Sequence, residues 1–335
     1  MATNDTGRQV ASGTGLAGPV EGAPSPAGGL DAEQVCVAFC SHHVNPGHWP
    51  DTIRSAFTTA AVAHAGQLRR SGDPYVSHPL AVAQIVADFG ADGPSLVAAL
   101  LHDTVEDTSV TLADISEQYG SEVASLVDGL TKLDKLHFSN DEEAQAASLR
   151  KMIVALAKDL RVIVVKLADR LHNMQTIDAM PGHRALAISR ETLDVYAPLA
   201  QRLGMHSLAA ELEDLAFATL YPARYTELMS IVATRAESTD AYLHGCVDEV
   251  ERFLAADEIV ADVTIRRKHL WSVYQKMASQ AKTFDQIYDY VGLRILVGSV
   301  KDCYAALGSV HAMWPPVPGR FKDFIASPGT VVAIL

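Results

Sequence analysis

LLHDTVEDT, Leu100 to Thr108, sets two leucines directly against a histidine and three carboxylates. Read as one helix with the residues before it (Leu96–Thr108), it places residues three and four apart on a common face. His102 and Glu106 then share one side, with Asp103 and Asp107 a little round from them. Leu100, Leu101 and Val105 occupy the other. Three carboxylates this close repel one another, and a counter-cation relieves the repulsion. Imidazole with carboxylate suits Mn, Fe or Zn better than Ca or Mg. The alternative for these nine residues alone is a solvated helix end with an incidental histidine.

Two distant stretches repeat the arrangement. GQLRRSGDPYVSHPLAV (66–82) sets His78 before Pro79, a residue suited to a first helical turn. VKLADRLHNMQTI (165–177) sets Asp169 after an apolar run, with Asn173 one turn on. A buried aspartate needs a partner or a metal. His78, His102, Asp103 and Asp169 make a set of two imidazoles and two carboxylates. Such a set leaves coordination positions open for water or substrate, as a catalytic site requires.

The rest of the chain bounds what such a site can serve. The 335 residues suggest about two domains, and 48% hydrophobic with 20% charged residues fits a globular protein with a sizeable core. No apolar run is long enough to span a bilayer, and no basic-plus-apolar leader opens the chain. A net charge of −13 argues against a general nucleic-acid binder, but not against an anionic substrate held by a metal and local arginines. Four cysteines (Cys36, Cys40, Cys246, Cys303) without framework spacing point to a reducing, cytoplasmic setting.

Residues 1–45 are expected to form a disordered tail, the first thirty being rich in Gly, Ala, Pro, Ser and Thr. From about Asp51 apolar residues recur at helical spacing, with a break at Gly90 and another around Gly120. RVIVVK (161–166) alone could pass for a strand, but its surroundings favour helix. After Ala261, VTIRRKHLWSVYQKMASQ reads as strand then helix, and DYVGLRILVGS as a short buried strand. The expected organisation is mainly α: a helical domain over 46–200, a helical bridge over 201–240 and an α+β segment over 241–335.

The H…HD…D order resembles the HD superfamily of metal-dependent phosphohydrolases. GQLRRSGDPYVSHPLAVA, ALLHDTVEDT, VDGLTKL, VKLADRLHNMQTI and RETLDVYAPLAQRLG are together similar to the N-terminal half of the RelA/SpoT homologue family, over about residues 50–325. That family makes and destroys the alarmone (p)ppGpp. The resemblance implies an all-helical hydrolase domain holding one Mn2+ on His78, His102, Asp103 and Asp169. It implies that Glu106 and Asp107 orient and deprotonate the attacking water. Arg69 and Arg70 are then placed for pyrophosphate oxygens, and Ser71, Asn173 and Thr176 for the nucleotide. The family usually has Arg-Lys where this chain has Arg69-Arg70. The implied reaction is that of a guanosine-3′,5′-bis(diphosphate) 3′-pyrophosphohydrolase acting in stringent-response alarmone turnover, with no nucleic-acid or membrane partner.

RRKHLWSVYQKM, FDQIYDYVGLRILV and GRFKDFIASP resemble the family's synthetase domain, a nucleotidyltransferase-like α+β fold. Arg266, Lys268 and Lys276 match phosphate-binding positions, Asp289 one Mg2+ ligand, and Arg320 and Lys322 a basic loop of the bifunctional members. Ile265 stands where the family has Gly, and Phe324 where it has Tyr. After Pro328 the chain reads GTVVAIL and stops, without the family's NGYQSLHT segment or the strand bearing its second acidic ligand. The resemblance therefore implies a truncated synthetase domain without synthetase activity. An open sheet edge there leaves homo-oligomer formation open.

Other residues carry weaker signals. Cys36, Cys40, His42 and His43 lack a second cysteine pair at finger spacing and read as an amphipathic helix. His64 and His172 lie within the matched motifs but off the ligand set, in supporting or core roles. Trp271, Trp314 and Tyr288 read as core, and no G-x-x-x-x-G-K-[ST] loop occurs. Two rival functions stand beside alarmone hydrolysis. One is an HD phosphohydrolase of another nucleotide, and the other is an inactive alarmone-binding or dimerisation module.

Overall fold

The computed structural model describes residues 49–134, 158–287, 289–319 and 321–327. The tail over 1–45, the two cysteine–histidine pairs within it, Tyr288, Arg320 and the segment after Ser327 lie outside those residues.

Helix α1 (Trp49–Ala63) buries Ile53, Ala56, Phe57 and Ala60, one stripe at helical spacing. A tight loop, closed by an isolated bridge between Leu68 and Pro74, leads into α2 (Ser77–Asp88). Gly90, with φ 73°, turns the chain out of α2. Asp92 then caps α3 (Gly93–Leu101), its carboxylate accepting from the Ser95 N–H at 3.0 Å, with Pro94 in the first turn. Helix α3 is buried along its whole length, which is what an unbroken small-and-apolar sequence permits.

The helix does not run on through Thr108. It ends at Leu101, His102 and Asp103 form a turn, and a single turn α4 (Thr104–Asp107) follows. The break has a local cause. Thr104 Oγ1 donates to the Leu101 carbonyl at 2.6 Å, and Asp103 has opened to φ −88°, ψ −11°. The expected single face is thereby split. His102 is buried, whereas Glu106 and Asp107 stand exposed.

A capping box at Thr111 and Asp114 starts α5 (Leu112–Tyr119), and Gly120 (φ 91°) separates it from α6 (Ser121–Asp134). Helix α7 (Leu160–Gln175) contains RVIVVK as helix, with Asp159 capping it. Helices α1, α2, α6 and α7 all pack on α3. Then come α8 (Gly182–Glu191), a π turn (Thr192–Tyr196), α9 (Ala197–Arg202) and α10 (His206–Leu220), which close one large core from Ile53 to Ala216.

Helix α11 (Pro222–Ala256) is 35 residues long and leads to β1 (Ala261–Arg267), α12 (Leu270–Gln280), β2 (Val291–Val297) and α13 (Val300–Met313). β1 and β2 pair antiparallel, from Ala261 opposite Val297 to Arg267 opposite Val291. β2 alternates between half-buried and exposed residues, so it is not the fully buried strand its composition suggests. Its inward side chains, Leu293, Ile295 and Val297, pack with Val250 and Leu254 of α11 and Ala306 of α13, while Leu296 faces out. The molecule is mainly helical, with this small two-stranded sheet in its second part.

Helix α10 joins the two parts. The Asp214 carboxylate accepts from the Leu270 and Trp271 N–H groups at 3.1 and 2.8 Å, capping α12. Beside it Glu213 lies 2.5 Å from His269 Nε2.

Candidate metal centre and active site

His78 comes from the first turn of α2, His102 and Asp103 from the turn after α3, and Asp169 from the third turn of α7. Because α2 and α7 both pack on α3, residues far apart in sequence meet at one point. One ligand atom each from His78, His102 and Asp169 lie within 4.8 Å of one another, all three residues being buried. Asp103 adjoins this trio. Its Oδ1 is 3.0 Å from His102 Nε2, and its Oδ2 is 3.5 Å from His78 Nε2. Asp169 Oδ1 is 3.1 Å from His78 Nε2.

The hydrogen bonds around the rings fix how they face this point. Arg69 can only donate, so its Nη1, 3.0 Å from His172 Nδ1, makes that nitrogen an acceptor. His78 Nδ1 lies 2.7 Å from the same nitrogen and must be the donor. His102 Nδ1 donates to the Ala99 carbonyl at 2.8 Å. Both rings therefore carry a hydrogen on Nδ1 and turn Nε2 toward the two carboxylates. His102 Nε2 is fully buried and finds no hydrogen-bond partner.

Two carboxylates facing these nitrogens call for positive charge, as a proton or a cation. Burial opposes a proton on His102, but Asp103 and Asp169 outweigh it and raise the ring to about 9. Burial likewise works against the charged forms of Asp103 and Asp169. The neighbouring His102 pulls Asp103 below the usual carboxylate range, and Lys166 and His78 pull Asp169 well below it. Burial, His78 and Arg69 hold His172 down at about 3, consistent with a neutral ring that accepts. The donor set of two imidazole nitrogens and two carboxylates, with their far sides already oriented, fits a divalent cation.

Asp169 is held from three sides. Its Oδ2 pairs with buried Lys166 at 2.6 Å, and its Oδ1 accepts from Asn173 Nδ2 at 2.7 Å as well as facing His78. Asn173 Oδ1 in turn accepts from Arg69 Nη2 at 3.2 Å. Arg69 and Asn173 thus reach the centre. Thr176 sits one turn further, its hydroxyl donating to the His172 carbonyl at 3.0 Å. Arg70 and Ser71 are exposed in the loop before α2, where Ser71 Oγ donates to Asp73 at 2.8 Å. The Asp107 carboxylate accepts from the Tyr75 hydroxyl at 2.8 Å, and Tyr75 is equally 2.8 Å from Asp103 Oδ2. Burial, with Asp103 alongside, raises the phenol far above its ordinary range. Sequence reading singled out neither Tyr75 nor Lys166. Tyr75 sits in a quoted motif without a chemical signature of its own, and a lysine in a helix reads as a solvated face.

In the second part, Asp289 lies between Lys268 Nζ, at 2.5 Å, and Lys276 Nζ. The two ammonium groups hold its carboxyl at about 2. Arg266, on β1, and Lys322 are exposed. Phe324 is 65% exposed, so its ring covers nothing.

A model described as HD domain matches residues 56–206, and one described as the region found in RelA / SpoT proteins matches residues 265–331. The chain thus joins an HD domain to a region found in RelA/SpoT proteins. It is 56% identical to a GTP pyrophosphokinase of Streptomyces coelicolor over 276 residues, 82% of this chain and 32% of that protein. It is 52% identical to the bifunctional (p)ppGpp synthase/hydrolase RelA of Mycobacterium tuberculosis, over 82% of this chain and 37% of that one. With the bifunctional (p)ppGpp synthase/hydrolase SpoT of Escherichia coli the identity is 44%, over 82% and 39%. The chain thus spans about a third of the length of the curated relatives it matches. Its candidate centre falls within the HD match and the Asp289 cluster within the RelA/SpoT region. Among the described residues no helix is long and apolar enough to cross a membrane.

Proposed function

We propose that the helical part, residues 46–200, hydrolyses the 3′-pyrophosphate of (p)ppGpp to GDP or GTP and pyrophosphate, using Mn2+ held by His78, His102, Asp103 and Asp169. The observation that carries this reading is the convergence of the Nε2 atoms of His78 and His102 with the carboxylates of Asp103 and Asp169 at one point. The names of the relatives supply the substrate class. A cation bound there supplies Lewis acidity, which acidifies water and offsets phosphate charge.

The chain's own groups do the rest. Asp107 and Glu106, exposed on α4 just beyond Asp103, take the proton of the attacking water. The water oxygen bonds to the phosphorus esterified to the ribose, the P–O3′ bond breaks, and O3′ leaves with a proton. Arg69 has five N–H donors, of which His172 and Asn173 engage two nitrogens, so others remain for pyrophosphate oxygens. Arg70, Ser71, Asn173 and Thr176 complete the substrate side. The other part, 241–335, joined through the helical bridge over 201–240, is read as lacking synthetase activity. Its Asp289 is neutralised by Lys268 and Lys276, and Ile265 and Phe324 replace the family's Gly and Tyr.

The test is pyrophosphate release from ppGpp with added Mn2+, beside Asp103→Ala and a chelator control. Release that vanishes in both controls supports the assignment. No release from folded, Mn-loaded protein overturns it in favour of an inactive alarmone-binding module. Release from another nucleotide alone favours a different HD phosphohydrolase.

A further inference from the structure

Tyr75 lies at the foot of the loop that carries Arg69, Arg70 and Ser71. Its place is set without help from the carboxylates. The ring stacks on buried His64 with centroids 4.5 Å apart, and its N–H donates to the Gln67 carbonyl at 3.0 Å. Gln67 ties the same corner together, with Oε1 2.8 Å from His64 Nδ1 and Nε2 donating to the Asp107 carbonyl at 3.1 Å. From this fixed ring one hydroxyl lies 2.8 Å from Asp103 Oδ2 and 2.8 Å from Asp107 Oδ2. A phenol has a single hydrogen to give, so the two carboxylates share one donor.

We infer that Tyr75 is a positioning residue that joins the ligand carboxylate Asp103 to the base carboxylate Asp107 through one shared hydroxyl hydrogen. This rests on the hydrolase reading above. The bridge does two things. It orients Asp103 toward the imidazoles, as an outer partner of a metal ligand does. It also holds Asp107, an exposed side chain on a one-turn helix, at a fixed place beside the pocket. When the Asp103 oxygens are engaged elsewhere, the hydrogen passes to Asp107 and the bridge tightens on the base.

The test uses Tyr75→Phe, which keeps the ring and its stack on His64, with Asp107→Ala, which removes the acceptor at the other end of the bridge. Mn2+ alone is titrated first, reading the free ion by electron paramagnetic resonance. Y75F should bind about tenfold more weakly, and D107A within about threefold of the parent. Unchanged Mn2+ affinity in Y75F overturns the Asp103 end of the bridge. In ppGpp hydrolysis Y75F should lose about 10- to 100-fold in kcat, with KM within about threefold. In the D107A background, with Mn2+ saturating for every variant, the same change should cost nothing further in kcat, because residues acting as a unit are not additive. Losses that multiply overturn the Asp107 end. If the parent chain turns over no ppGpp, the hydrolase reading fails by itself, and the Mn2+ titration still decides whether Tyr75 orients Asp103.

Discussion

Lys166 sets what Asp169 can offer. Both are buried, and the lysine takes Oδ2 at 2.6 Å, leaving Oδ1 for the imidazoles and Asn173. Removing one partner of a buried pair leaves a stranded charge, which costs more than the pair itself gains. Lys166→Met is expected to lower unfolding free energy by about 3 kcal/mol in urea titrations with chelator present. A loss near zero would mean another group neutralises Asp169. Asp289 is the opposite case. It is half exposed, so its lysine pairs are screened and their worth to stability is small. Its folded pKa is depressed, so the pairing is complete above the ordinary carboxylate range and is lost as pH falls through about 2. Carboxyl-carbon NMR should place the Asp289 midpoint there, and Lys268→Ala should move it up toward the normal range. His102, Asp103 and Asp169 could be picked out because they follow apolar runs, and His78 because it stands before a helix-starting proline. Tyr75 and Lys166 could not, because their partners lie on other elements or depend on which way a helix faces.

At the scale of elements, three helix starts meet at one guanidinium. Arg161 pairs with Asp159, the cap of α7; with Asp92, the cap of α3; and with Glu122 in the first turn of α6, at 2.7, 2.8 and 2.8 Å. The contacts with Asp159, then Glu122 and Asp92, raise the arginine. Arg161→Ala should cost about 1 kcal/mol, since a network of this kind exceeds a lone surface pair. It should leave the kcat of any hydrolysis unchanged, because none of these residues touches the centre. Gly129 argues a tighter constraint. A Cβ there would lie 2.9 Å from Val162 Cγ2, where α6 crosses α7. Alanine would gain up to about 1 kcal/mol of helix propensity. Overpacking against a β-branched side chain with one helical rotamer costs about 1–3 kcal/mol. Gly129→Ala should therefore destabilise by about 1 kcal/mol in thermal or urea unfolding, whereas an increase would show that the helices can spread. The helices themselves were legible from periodicity, RVIVVK included, since a strand there would interrupt a long apolar stripe. The break at His102–Asp103 was not, because it turns on which carbonyl the Thr104 hydroxyl takes. β2 read as fully buried for a related reason. Its β-branched composition does not reveal that only β1 pairs with it among the described residues.

Across the whole molecule, α10 is the connection that composition could not disclose. It ends the large core with Ala216 and opens the next cluster with Phe217, while Glu213 and Asp214 reach His269 and the start of α12. Asp214→Ala should cost about 1 kcal/mol and, more tellingly, speed amide hydrogen exchange over residues 270–280 while leaving α7 protected. Equal exchange in both proteins would show that α12 is held by packing alone. The centre itself is drawn from widely separated helices, and that has a consequence for a chain as it is being made. His78 and His102 leave the ribosome first, and α3 can find α1 and α2 early. Asp169 and its lysine arrive only with α7. Until then a nascent chain lacks one carboxylate of the candidate centre, so the donor set proposed for a metal is complete only once translation has passed α7.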